Sequence, residues 1–166
     1  PNGLEVFSQM EALRKQVAER LAANPQDAES LLLRGEIHWD EGRLQEAIAD
    51  FRRSLEISAD PKARNLLRDA MFEGLKTDFA RHRKSVEEIE RLIDDSQQRA
   101  NLLRLLATGC ENVGEYHGAF GHYLKLIDLD RDRRDMEAVD KFLSARRDCW
   151  IQVRVAALRE AAPPEV

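Results

Sequence analysis

Threonine occurs only twice, at Thr77 and Thr108, and aromatic residues make up 6% of the 166. Strands draw on β-branched and aromatic side chains, so this scarcity argues against a sheet-rich fold. Leu, Ala, Glu, Arg and Gln are abundant instead, and these favour helix. No apolar run approaches the roughly 18–20 residues that a membrane-spanning helix needs. Cys110 and Cys149 stand far apart, without CxxC or metal-ligand spacing. Buried thiols are the expectation, with a disulfide only in an exported parent protein. The chain opens on PNG without Met or a signal peptide and closes on AAPPEV, as expected of a piece of a longer protein. Its compartment stays open between cytoplasm and, for an exported parent, periplasm.

Uncompensated positive charge is also missing. The net charge is −5, and the basic runs Arg81–Lys84 and Arg131–Arg134 are short and sit among acids. Phosphate binding needs clustered, unneutralised Lys and Arg, so nucleic acid is not an expected partner. His38, His82, His117 and His122 show no i+3 or i+4 pairing, so zinc spacing fails. The stretch GAFGHY (118–123) lacks the Lys-Ser/Thr of a phosphate loop. Gly118 and Gly121 within it are expected to permit close helix packing. No GxSxG nucleophile context occurs. No catalytic residue, cofactor or metal is expected.

What is present is a repeat. Pro25 and Pro61 are the only prolines between Asn2 and Ala162, and each follows a helix-period pattern that it would terminate. Ala28 to Leu55 reads as two helices joined at DEGRL, where Gly42 suits the left-handed turn conformation. Seventy-two residues on, the pattern returns: Gly35 matches Ala107, Gly42 matches Gly114, Ala47 matches Ala119, and Phe51 matches Tyr123. Gly35 and Ala47 are expected to face each other where two antiparallel helices cross closely, with Phe51 filling space against the next hairpin. This arrangement of small residue, turn glycine, small residue and aromatic resembles the tetratricopeptide repeat.

Around the two clear copies the chain divides, within a single domain, into a leading helix (3–23), repeat 1 (28–60), a degenerate repeat 2 (61–98), repeat 3 (100–131) and a C-terminal helical cap (132–162). The leading helix carries the stripe Leu13, Val17 and Leu21. Repeat 2 is expected to have an overlong first helix, because Asp78 stands where the turn glycine belongs. Ser85 and Glu88 suggest a capping box for its second helix. Ser144 is a candidate N-cap for a terminal helix whose broad apolar sector holds Trp150, Ile151 and Val155. Such a helix needs cover on more than one side, from the repeats, another domain or another subunit. The segment SARRDCWIQVRVAAL also resembles helical segments that accompany quinoprotein-type β-propeller repeats in large bacterial proteins.

The resemblance implies an all-α, right-handed solenoid of antiparallel helical hairpins with a C-terminal capping helix. It also implies a non-catalytic scaffold binding a protein or peptide in a concave groove. Groove residues implied are Glu29, Leu32, Glu36, Trp39 and Asp40 from repeat 1. Arg68, Phe72 and Lys76 come from the degenerate copy, and Asn101, Arg104, Thr108 and Glu111 from the last. The carboxylate-clamp subset of this family has Lys and Asn at the positions held here by Leu32 and Glu36, so binding of chaperone tails is not implied. The alternative is a structural spacer, oligomerisation module or accessory domain of a larger protein.

Overall fold

A computed structural model describes residues 3–129 and 135–147 of the chain. Every regular element among the described residues is helical. The helices are α1 (Gly3–Ala23), α2 (Ala28–Asp40), α3 (Leu44–Ile57), α4 (Pro61–Thr77), α5 (Phe79–His82), α6 (Val86–Leu92), α7 (Ser96–Asn112), α8 (Tyr116–Leu129) and α9 (135–147). The fold is an all-α helical repeat. It divides into two compact units, Pro1–Arg99 and Ala100–Val166.

In the first unit α2 and α3 form a tight hairpin. Asp27 caps α2, its side chain accepting hydrogen bonds from the Ser30 N–H at 3.3 Å and the Ser30 hydroxyl at 2.7 Å. At the turn, Gly42 takes φ 74°, a conformation costly for a residue with a side chain. There the Gly42 N–H donates to Trp39 O and the Arg43 N–H to His38 O. Ser54 Oγ then donates to Ala28 O at 2.8 Å, tying the end of α3 to the start of α2.

The second clear copy repeats this geometry. Gly114 takes φ 79°, and its N–H donates to Glu111 O while that of Glu115 donates to Cys110 O. Ala107 and Ala119 are fully buried, as is Ala47, and Tyr123 is buried like Phe51. Burial of the aromatic in both copies supplies the apolar area that holds each hairpin closed.

Several local expectations change. A β-carbon on Gly35 would fall 2.5 Å from Phe51 Cε1, so the glycine makes room for the Phe51 ring within its own hairpin, and that ring is what it meets first. Pro61 opens α4 as its first residue, with Asp60 accepting from the Lys62 N–H at 2.8 Å. The first helix of the degenerate repeat is not continuous, because Asp78 leaves helical geometry (φ −145°, ψ 80°) and caps α5 by accepting from the Arg81 N–H. Downstream, His82 is buried with its ring against Gly74, where a β-carbon would lie 2.4 Å from Nδ1.

Ser85 makes no side-chain cap to α6, and Glu88 instead pairs with Arg52 of α3. Among the helix glycines, a β-carbon on Gly118 would lie 3.4 Å from Cys110 Sγ, whereas one on Gly121 would meet nothing within 4 Å. Ser144 lies inside α9, not at a helix start. The leading helix does carry its stripe: Val17 and Leu21 join Leu31 in a buried cluster, with Leu13 packed on it.

Candidate functional site

Helices α2 and α4 carry the residues of the first unit that are expected to line a groove. Trp39 is half-buried, its ring meeting Phe51 edge-on at 6.0 Å between centroids. That contact leaves one part of the indole available while fixing the rest. Glu36, one turn before, is half-buried and forms an ion pair with Lys62 of α4 at 2.5 Å. Glu29 is exposed and pairs with Arg20 at 2.7 Å, whereas Asp40 is exposed at the hairpin end. Leu32 is only 6% exposed, so it packs inward and offers a ligand little surface.

On α4, Arg68 is largely covered and bonds to Asn65 and Asp69 of its own helix. Lys76 is exposed beside Glu73 at 3.3 Å, and Phe72 is half-buried. Most charges expected to meet a ligand therefore already have intramolecular partners. Exposed pairs of this kind are worth little to stability and are readily exchanged. Trp39 and Phe72 remain as the partly open aromatic residues of these two helices.

In the second unit, Arg104 makes a two-pronged bond to the buried Asp135 carboxylate, both contacts at 2.7 Å, and Arg104 also donates to Asn101 Oδ1. Glu111 accepts from the Tyr123 hydroxyl at 3.3 Å and from Arg146 at 3.3 Å. Burial, then the Glu111 charge, pushes the Tyr123 hydroxyl above the ordinary tyrosine range. Thr108 is exposed on the same helix. Arg104 and Glu111 thus take part in packing α7 against α8 and α9.

These partners were invisible in the residue pattern. Asp50 is another: it is 4% exposed and takes both prongs of Arg34, at 2.7 and 2.6 Å. A buried aspartate inside an otherwise apolar stripe was the available signal for it. Among the described residues no group of His, Cys, Asp or Glu is arranged to hold a metal ion, and no helix is long and apolar enough to cross a membrane.

Residues 28–61 match the tetratricopeptide repeat family. The chain carries a tetratricopeptide repeat. The matched segment runs from the start of α2 through α3 to the first residue of α4, which is one hairpin and its junction. No curated protein matches the chain. Tetratricopeptide repeats generally mediate protein–protein interaction, and the family is typically a non-catalytic interaction scaffold. The propeller likeness finds no support, and Trp150, Ile151 and Val155 lie outside the described residues.

Proposed function

We propose that the protein is a non-catalytic scaffold whose tetratricopeptide repeat binds a peptide or a segment of another protein. The observation that carries this reading is the family match over the α2–α3 hairpin. Trp39 and Phe72 are its anchors, because partly exposed aromatic residues on rigid helices lose little entropy on binding. Glu29, Glu36 and Asp40 on α2, with Arg68 and Lys76 on α4, set orientation by exchanging internal partners for ligand charges. Asn101, Arg104, Thr108 and Glu111 are the corresponding positions of the second unit.

Affinity capture with wild type beside Trp39→Ala tests the proposal, followed by titration of the captured segment at two salt concentrations. Reduced capture by the variant and weaker binding at high salt support it. Equal binding by both proteins, indifferent to salt, assigns the partner to another surface.

One observation favours a second reading, an oligomerisation module. In the second unit Val113, Tyr116, Leu124 and Leu143 are each at least 39% exposed, an unusual amount of apolar surface for two short helices and a turn. A concentration-dependent mass in sedimentation would support that reading.

A further inference from the structure

The offset of 72 positions that relates α3 to α8 also places α9 over residues 63–75 of α4. Val139 and Phe142 answer Leu67 and Ala70, and all four are buried. The agreement ends at the next position. Met71 is 2% exposed, whereas its counterpart Leu143 is 45% exposed. Ile48 of α3 is buried, but its counterpart Phe120 of α8 is only half-buried. In the first unit the chain turns back after α4, and α5 and α6 pack on that helix with Ile89 and Leu92 buried. In the second unit the described residues stop at Arg147, where α9 ends.

This face of the second unit holds a cavity of ≈ 430 Å³, lined by Tyr116 and Phe120 of α8 and by Phe142, Leu143 and Arg147 of α9. Phe120 stacks on Phe142 at 6.5 Å between centroids, and Tyr123 meets the same ring at 5.3 Å, so packing fixes the aromatic walls. Leu124, one turn beyond Phe120 and 46% exposed, extends the apolar surface along α8. Its counterpart in the first unit is Arg52, which reaches Glu88 beside it on α6 with bonds of 2.7 and 2.9 Å. The exchange of arginine for leucine sets the chemistry of whatever covers this position. An acid suits Arg52, but over Leu124 a charge would lose water without gaining a partner, so an aliphatic side chain is required.

We infer that residues 148–162 of the same chain fold back over α8 and α9, with Trp150 in the cavity and Ile151, Val155 and Leu158 against Leu124 and Leu143. Reach supports this occupant. Trp150 follows Arg147 by three positions, so even extended chain keeps it within about 10–11 Å of a cavity-lining residue. Chemistry supports it too, because Ile151, Val155 and Leu158 recur at helical spacing and form an uncharged stripe. A tethered segment also meets the face at an effective concentration in roughly the millimolar range, which a second copy in dilute solution does not match. The segment therefore competes with self-association for one surface, and the face that would join two chains is closed within each. The scaffold reading is untouched, since Trp39 and Phe72 belong to the other unit.

The test uses the full 166-residue chain with Trp39→Phe, which leaves Trp150 as its one tryptophan. Emission from Trp150 should be blue-shifted and shielded from acrylamide, and sedimentation should give the mass of one chain at every concentration. Leu143→Asp and Leu124→Asp, both at exposed positions, should each shift the emission to the red and abolish the shielding while circular dichroism stays unchanged. Phe7→Asp, at an exposed position of α1, is the control and should alter neither reading. In an equal mixture of isotope-labelled and unlabelled chains, nuclear Overhauser contacts from the Trp150 ring to Phe120 and Leu143 should arise within one chain. Contacts found only between chains would give the face to a second copy. Solvent-type emission from Trp150 would leave the cavity open, and shielding that survives both aspartates would seat the indole elsewhere. Each of these three results overturns the inference, and none of them bears on the scaffold reading.

Discussion

The Phe51 ring occupies the space that a side chain at position 35 would need, with Cε1 and Cδ1 at 2.5 and 2.6 Å from an ideal β-carbon. Phe51 is fully buried, so its ring has little room to retreat. Gly35→Ala gains roughly 1 kcal/mol in helix propensity yet overpacks this contact by about 1–3 kcal/mol. The net expectation is destabilisation, and Phe51→Leu in the same chain should recover part of it. Thermal unfolding of the single and double variants measures both. A stabilised Gly35→Ala would show that the ring moves aside freely.

Gly42 and Gly114 hold the same left-handed turn 72 positions apart. Alanine at either should cost about 1–2 kcal/mol, because the penalty lies in the backbone and nothing crowds either site within 4 Å. Comparable losses in chemical denaturation are expected for the two variants.

Arg34→Met removes the two-pronged partner of Asp50 and leaves a carboxylate side chain that is only 6% exposed. Breaking one side of such a pair typically costs about 3–5 kcal/mol when both groups are buried; the 37% exposure of Arg34 places this case at the lower end or below. Asp50→Asn with Arg34→Met should be milder than Arg34→Met alone. A double-variant cycle in urea checks the order.

The hairpin and its recurrence were readable because they depend on local chemistry. Gly42, Ala47 and Phe51 are at fixed offsets within one repeat, and Gly114, Ala119 and Tyr123 answer them. The interior of the degenerate repeat was not readable in the same way. Asp78 breaks the helical pattern through its own side-chain cap, and Glu88 turns to Arg52, 36 residues away, in preference to the nearby capping box. The groove charges failed for a related reason. Spacing places Glu36 and Arg104 on helices, but their partners Lys62 and Asp135 come from other elements.

Asp27 gives the pH dependence a direction. Hydrogen bonding from the Ser30 side chain, then the Ser30 backbone, with support from Arg20, holds its carboxyl below the ordinary aspartate range. A depressed folded-state value means its contribution is present above about pH 4 and is lost as the pH falls through the lowered value. Tyr123 acts at the other limit: its raised value means stability is retained below about pH 10 and lost as the pH rises through the higher folded value. Melting temperature should thus fall at both extremes. Asp27→Asn should flatten the acid limb, and Tyr123→Phe the alkaline one.

The scaffold reading is tested most directly by the affinity of a captured partner segment for wild type and for Trp39→Ala, measured by calorimetry at one salt concentration. Trp39 packs on Phe51 only edge-on, so its truncation should leave the hairpin folded while removing an anchor. The expected loss is about 30-fold in Kd, corresponding to a hot-spot aromatic worth ~2 kcal/mol. An unchanged Kd, with the variant shown to be folded, would contradict it.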